Sequence, residues 1–480
     1  MLKKVLLPFE SAQTLSIGTT GQKLINMYSE KNPQGSRYEF ALYNCPGLTK
    51  WVDLGVNAPI KMLHQMNGSI YVICNLQVYR IDANKVITSL GFIPDSTQYS
   101  VADNAVGGID NPQICVILDS GQGYIISPTS VTQITAPGFP LASTVTFIDS
   151  YFVVSKQNGS QFFVSNSYDG FTWNALNYAT AEEKPDNLIA VYGFNSILWL
   201  FCSSSIEMWQ NVGSTNIGGF STNFPFQKIP GTPDTTRGLA AKGSISAEQN
   251  QLFWLGNDKI VYTSQGFSPL RISTHAIEQE IESYGIISDA EAFCYYVNGH
   301  KFYTINFPSQ GTTLSYDILM NTWHHRESYL QTRWRANFYA RLNDVTPLVG
   351  DYQTGLIYQI DQQAYDENGN FMIKTIYTPP LWNEGNRFVV SQIRLDLDSG
   401  IGNLQLPSTN PKAQMQFSDD GGRTYSNERD VAIGTVGLSL TRVIWRRCGI
   451  TRERIWKFSC SDSIPFRITG LYADIQPCLD

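Results

Sequence analysis

Charge is what this sequence has least of. Asp, Glu, Lys and Arg together make up 16% of its 480 residues, against about 25% in an ordinary soluble protein. A surface so short of charge points to area covered by something other than water, such as sister subunits. Long apolar runs are also missing: no stretch approaches the ~18 residues of a membrane helix, so no membrane span is expected. The opening Met1-Leu-Lys-Lys-Val-Leu-Leu is cut by Pro8 and Glu10, too early for a signal peptide. The eight cysteines stand far apart, from Cys45 to Cys478, without a Cys-x-x-Cys pair. Zinc-ribbon and thioredoxin-type sites are thereby excluded. Several cysteines sit inside apolar strand-like runs such as Ile114-Cys115-Val116, where a free thiol behaves as a small hydrophobe. This usage places synthesis in a reducing cytoplasm. Of the five histidines only His324 and His325 are adjacent, and neighbours on a strand face opposite ways. No metal site is expected. There is no Gly-x-x-x-x-Gly-Lys loop, no Gly-x-Ser-x-Gly elbow and no His-Glu-x-x-His. The net charge of −7 argues against a whole-surface nucleic-acid binder but leaves local basic stripes open.

What is present is strand grammar. Between about Leu48 and Asp361, runs of Val, Ile, Tyr, Phe, Trp and Thr alternate with Gly, Asn, Asp, Ser and Pro. The runs fall into groups of four. Lys61–Gln65, Ser69–Cys74, Gln77–Asp82 and Val86–Leu90 make the first, with Asn67-Gly68 as its opening hairpin turn. Groups follow near 98–135, 144–178, 187–229, 236–271, 288–326 and 335–360. Their spacing of roughly 40–45 residues is that of a four-stranded propeller blade. The last group shows three strands, and Leu48-Thr-Lys-Trp51-Val-Asp is an orphan. The expectation is an all-β chain with a β-propeller over 48–362, closed by residues 48–53, of about seven blades, with six as the alternative. One helix interrupts it, capped at Ser273 or Thr274, burying Ile277, Ile281 and Tyr284 on one face and ending at Gly285. From Asp366 the pattern changes to cleanly alternating strands such as Gln392-Ile-Arg-Leu-Asp-Leu-Asp398. Residues 366–480 read as a β-sandwich-like platform. Residues 1–47 read as an arm that packs on the platform or on a neighbouring subunit.

Two motifs stand out. Ser418-Asp-Asp420-Gly-Gly422-Arg-Thr424-Tyr425 fits the Asp-box pattern, a turn in which Asp gathers backbone N–H groups and Gly supplies the unusual φ. A shortened copy is Ser167-Tyr-Asp169-Gly170-Phe-Thr172-Trp173. Sialidases carry such boxes, so a propeller glycosidase or carbohydrate-binding protein is the alternative function. The box itself is a folding device. A glycosidase also needs two carboxyls at a fixed separation, and neither Glu182-Glu183 nor Asp396 with Asp398 is singled out for that role. The second motif is a basic stripe in an acidic chain: Arg442, Arg446, Arg447, Arg452, Arg454 and Lys457, interleaved with Trp445 and Trp456. It reads as a surface for phosphates or an acidic partner. It reads equally as two solvated strand faces joined by a turn at Gly449.

Around these residues the chain resembles the packaged-DNA-stabilisation, or tail hub (nozzle), proteins of short-tailed bacteriophages. Similar stretches occur in order: Ile25-Asn-Met-Tyr28, Cys45-Pro-Gly-Leu-Thr-Lys50, Cys202-Ser-Ser-Ser-Ile-Glu207, Thr236-Arg-Gly-Leu-Ala240, Ser268-Pro-Leu-Arg-Ile-Ser-Thr-His-Ala-Ile-Glu278, Val443-Ile-Trp-Arg-Arg-Cys-Gly449 and Ile468-Thr-Gly470. The resemblance implies a virion tail protein, assembled in the host cytoplasm. It implies a homo-hexameric ring beneath the portal adaptor that extends the channel and meets a tail needle or plug and tail fibres or spikes. Such a ring retains packaged DNA, with possible non-specific contact to the genome. It implies no catalytic residue and no cofactor. The arginines of the stripe become candidates for the channel or a subunit interface.

Overall fold

The computed structural model describes residues 2–14, 20–105, 109–182, 184–213, 215–217, 220–222, 224–232, 237–402 and 408–478. Glu183, one of the paired glutamates, lies outside them.

Local turn chemistry sets up the blades. Asn67-Gly68 has φ of 46° and 69°, the paired positive values of a tight hairpin turn. The same geometry joins the first two strands of other groups at Asp149-Ser150, Asn195-Ser196 and Asn298-Gly299. Asn or Asp leads each pair because their short polar side chains tolerate the left-handed region. Four-stranded antiparallel sheets follow over 60–92, 99–133, 142–180, 188–228 and 246–271. A sixth spans 336–361 and is closed by the chain's early strand Gly47–Asp53, which pairs with Leu356–Asp361. Trp51 and Leu48 are buried by that closure.

A further meander, 291–325, stands in the same ring. Its outermost strand, Thr322–His325, does not end the sheet. It pairs with Gly21–Ile25, and the sheet runs on through Lys374–Tyr377, Glu453–Cys460 and Lys412–Ser418. The expectation of about seven blades is corrected to six self-contained ones. The remaining strand group belongs to a sheet that the propeller shares with the C-terminal domain.

The first strand of each group faces the propeller axis. Its open edge would leave N–H groups unpaired. Hydroxyls of the neighbouring blade take several of them: Val145 N donates to Ser100 Oγ at 2.9 Å, Val191 N to Thr144 Oγ1 at 2.9 Å and Gly193 N to Thr146 Oγ1 at 2.8 Å. The helix His275–Glu282 packs Ile277, Ile281 and Tyr284 against Phe253, Tyr303 and Phe307.

The C-terminal domain is two sheets face to face. One is the shared sheet. The other orders Met27–Lys31, Phe40–Asn44, Ile468–Pro477, Phe388–Leu397 and Val443–Arg446, with Leu2–Val5 alongside Ile468–Pro477. Their inner faces bury Leu24, Met27, Ile376, Ile393, Trp445 and Phe458 in one core. The N-terminal residues thus supply strands to both sheets. Asn26, at φ 55°, turns the chain from one sheet to the other. Its side chain donates to the carbonyls of Glu327 (2.9 Å) and Ile373 (3.0 Å), and its oxygen accepts from Glu327 N.

Beside this seam His324 is fully buried against Phe302 and Tyr28, and both ring nitrogens lack a partner. Burial, reinforced by the nearby Arg326 guanidinium, holds its proton affinity well below the usual imidazole range. The unfolded chain accepts a proton near pH ~6.5 that the folded chain refuses. His324 therefore leaves stability intact above that pH and removes it as the pH falls below. His324→Leu should raise stability by about 1–3 kcal/mol, the cost of an unsatisfied buried polar group. The margin over the wild type should widen from pH ~7 to ~5 in urea titrations. A margin that is absent or flat with pH would contradict this account.

Candidate interaction surface

The basic stripe begins on the edge strand Val443–Arg446, which among the described residues pairs only with Phe388–Leu397. Strand alternation puts Val443 and Trp445 into the core and turns Arg442, Ile444 and Arg446 the other way. Trp445 is pinned by its indole N–H to the Arg429 carbonyl at 2.7 Å. The chain does not reverse at Gly449. Arg447 takes φ 57° and Gly449 φ 85°, and Ile450–Thr451 then resumes pairing with the same partner strand. The segment is a bulge, not a hairpin, and it pushes Arg447 outward. Arg447 N donates to Ser391 O and Val390 N to Gly449 O, each at 2.8 Å, so the bulge is held on both sides.

The structure separates the six candidates into two groups. Arg442, Arg446, Arg447 and Arg452 are exposed, and none pairs with a carboxylate among the described residues. Arg454 is overturned as a channel or interface residue. It is 1% exposed. Its Nε and Nη2 grip Asp419 at 2.6 and 2.7 Å, its Nη1 donates to the Cys448 carbonyl, and its guanidinium lies 3.9 Å from the Phe417 ring centroid. It is the internal brace of the bulge. Lys457 is half-buried on the outer face of the shared sheet, 5.7 Å from the Tyr377 ring and 5.9 Å from Tyr425.

Exposed apolar side chains missed by the sequence reading accompany the four free arginines. Trp382 is 65% exposed. It follows the Pro379-Pro380 break in a turn whose Gly385 carbonyl accepts from Arg452 Nη1 at 2.7 Å. Arg387 precedes the strand residue paired with Thr451 and so stands beside Arg452. Ile450 is exposed in the same bulge. On the other side of the stripe, Val436, Leu438 and the 93% exposed Leu440 project from a short loop. That loop is pinned by Gly437 N to Gly400 O at 3.1 Å and by Ser399 Oγ to Ser439 O at 2.7 Å. Alternating apolar residues between turn glycines were the only sequence signal for it. Trp and Arg together are the side chains that dominate protein interfaces.

The Asp box is a closed turn. Asp420 Oδ1 accepts from Ser418 Oγ (2.6 Å), Arg423 N (3.0 Å) and Thr424 N (2.9 Å), and its Oδ2 accepts from Thr424 Oγ1 (2.6 Å). Gly422 N donates to Ser418 Oγ at 2.8 Å. The Ser418 and Thr424 hydroxyls hold the Asp420 carboxyl well below its usual range. The short copy works alike: Asp169 takes Phe171 N and Thr172 Oγ1 at 2.9 and 2.6 Å. These carboxylates are occupied by their own turns. Asp396 is engaged by Arg394 at 2.8 Å and Tyr38 at 2.9 Å, and Asp398 lies 3.6 Å from Arg467.

On the propeller axis lies a cavity of about 240 Å³ with Glu291 as its one lining carboxylate and no lining arginine. That is not the two-carboxyl, arginine-rich arrangement a glycosidase would require. Lys242, on a 3-10 turn after the fourth blade, lines this cavity and reaches Asp119 of the second blade at 2.6 Å. No helix among the described residues is long and apolar enough to cross a membrane.

Comparison with known proteins gives two family matches. The model described as Bacteriophage P22 Gp10, beta-propeller covers residues 20–365, and that described as Bacteriophage P22 Gp10, beta-sandwich covers 374–476. No curated protein matches the chain in sequence. Among solved structures, a streptogramin B lyase is 10% identical with a TM-score of 0.42, over 70% of this chain and 97% of its own. BamB from Moraxella catarrhalis is 8% identical with a TM-score of 0.37, over 75% and 97%. The Pan2 WD40 domain of Neurospora crassa is 7% identical with a TM-score of 0.39, over 67% and 95%. Likenesses this weak carry no argument.

The two kinds of arginine should respond differently to truncation. Arg454→Ala removes the buried brace, but Asp419 is 40% exposed and can be solvated, so the cost should be about 1.5–3 kcal/mol, that of lost hydrogen bonds to a charged group. Arg442→Ala and Arg447→Ala should each stay within about 0.5 kcal/mol of the wild type. Urea denaturation followed by tryptophan fluorescence reads both. Equal effects would show that the stripe is not divided in this way.

Proposed function

Because the chain belongs to the bacteriophage P22 Gp10 family, the packaged-DNA-stabilisation proteins of the virion tail, we propose that it is a ring subunit of a short-tailed phage tail. In this reading six copies extend the portal channel beneath the adaptor, meet a needle or plug and the fibres or spikes, and hold the genome until ejection. The mechanism is mechanical. The observation that carries it is the run of exposed cationic and apolar side chains along one edge of the sandwich: Arg442, Arg446, Arg447 and Arg452, with Leu440 toward one end and Trp382 toward the other. A lone subunit gains nothing from leaving such groups in water, and Trp and Arg are the side chains enriched at binding hot spots. The small axial cavity, about 240 Å³, supports the same reading. Nothing as wide as a duplex threads one propeller, so a DNA passage is built between subunits, with the propellers as its rigid wall. No observation favours the carbohydrate-directed alternative.

The test is a variant carrying Arg442→Ala, Arg446→Ala, Arg447→Ala and Arg452→Ala. All four side chains are exposed, so the purified chain should melt as the wild type does. Its assembly should fall by about tenfold, the loss expected for ~1.4 kcal/mol of contact energy. Particle mass by light scattering and genome content per virion measure it. Wild-type ring mass and full genome retention would count decisively against this surface. If phosphates are among its partners, the wild type should bind duplex DNA with a steep loss on adding salt, and the variant with a shallower one.

A further inference from the structure

The axial cavity holds groups that the tail function does not use. Glu291 opens the inner strand Glu291–Val297 and is buried. Its Oε2 accepts from Asn337 Nδ2, and Asn337 Oδ1 accepts from Arg333 Nη2 at 2.6 Å. The aromatic rings of Phe293, Tyr192 and Tyr339 line the same cavity. One polar atom on the cavity wall is buried without a partner, Gln98 Nε2, and Glu291 also feels the charge of Asp289. Gly243 keeps the space open. A Cβ there would stand 2.8 Å from the Ala290 carbonyl, 3.2 Å from Glu291 Cγ and 3.4 Å from Gln98 Nε2.

The charges around Glu291 do not balance. Asp119, Asp289 and ionised Glu291 make three carboxylates, and Lys242 and Arg333 make two cations, leaving one negative charge in excess. Lys242 is already neutralised by Asp119 at 2.6 Å. Burial, aided by Asp289 and Asp119, accordingly raises the Glu291 carboxyl to about 7. One further cation would balance the cluster and let Glu291 ionise. Aromatic walls favour a cation carried on an apolar body. The Gln98 amide can turn over, so that its oxygen replaces the unpartnered nitrogen as a second acceptor.

We propose that the axial cavity is a binding site for an alkylammonium group, with the ammonium on Glu291 and Gln98 and the carbon chain among the rings. The group can come from a free amine or from a lysine side chain of a partner segment inserted along the axis. Calorimetric titration with n-butylamine tests the shared chemistry. Saturable binding is expected, with affinity rising about tenfold from pH ~6 to ~8 as Glu291 loses its proton. n-Butanol should not bind. Glu291→Gln should weaken n-butylamine by at least tenfold and remove the pH dependence. Gln98→Leu, which leaves the Asn337 bond in place, should weaken it severalfold with an unchanged melting curve. Binding that is absent at millimolar amine, equal for the alcohol, or flat with pH in the wild type overturns the site. Capped Ala-Lys-Ala against its norleucine counterpart separates the sources. A lysine peptide that binds more tightly than n-butylamine identifies a partner side chain, and a peptide excluded where the amine binds identifies a free amine.

Discussion

One strand holds this molecule together. Gly21–Ile25 lies between the last strand of the propeller meander, Thr322–His325, and the first of the sandwich, Lys374–Tyr377. Hydrogen bonds on both of its edges make propeller and sandwich parts of one continuous sheet. Two domains joined by a linker move independently by default. These two do not have that freedom, because any hinge between them must break backbone hydrogen bonds. Asn26 reinforces the joint by tying down Glu327, just past the meander that ends at His325, and Ile373, where the chain enters the sandwich. Whatever load the sandwich receives from a neighbour passes directly into the propeller ring.

The rigid joint explains why buried polar chemistry collects around it. His324, His325, Arg326 and Glu367 all lie within a few residues of the crossing strands and all are buried. His325 is satisfied by Ser11 and Glu280, each at 3.1 Å. Arg326 stacks 4.0 Å over Trp334 and reaches the Pro46 carbonyl. Buried ionic groups contribute little net stability but fix one geometry. The exposed arginines of the stripe are the converse. They cost nothing to solvate, and they stay free for a partner because the bulge at Arg447 and the brace of Arg454 turn them away from the core.

Much of this architecture was legible because turn and strand signals act locally. Asn67-Gly68, the orphan Trp51 strand, the helix at 275–282 and the alternating strand 388–397 each declare themselves within a dozen residues. What was not legible depends on contacts between distant segments. No local pattern shows that Thr322–His325 goes on to pair with residues three hundred positions earlier, so a strand group shared with the sandwich was counted as a separate blade. Residues 1–47 read as an arm on the platform or on a neighbour because nothing local tells which distant strands Gly21–Ile25 and Phe40–Asn44 join, although Met27–Lys31 and Phe40–Asn44 also pair with each other. Arg454 and Arg452 are two residues apart in the same basic run. Only the position of Asp419 decides that one is a buried brace and the other a free cation. Trp382 was passed over because a Trp after Pro-Pro reads as a turn, and exposure is not written in composition.

The closing strands also set an order of events during synthesis. Gly47–Asp53 must wait for Leu356–Asp361, and Leu2–Val5 for Leu471–Asp474. The ring cannot shut until some three hundred residues have followed its first closing strand, and Leu2–Val5 cannot pair until Leu471–Asp474 has been made. Contacts so far apart in sequence are slow to form, and unpaired strand edges invite wrong partners meanwhile. For this fold the hazardous state is the nascent chain, in which Gly21–Ile25 and Gly47–Asp53 still lack their distant partners. In the folded protein the early and late strands hold each other in place.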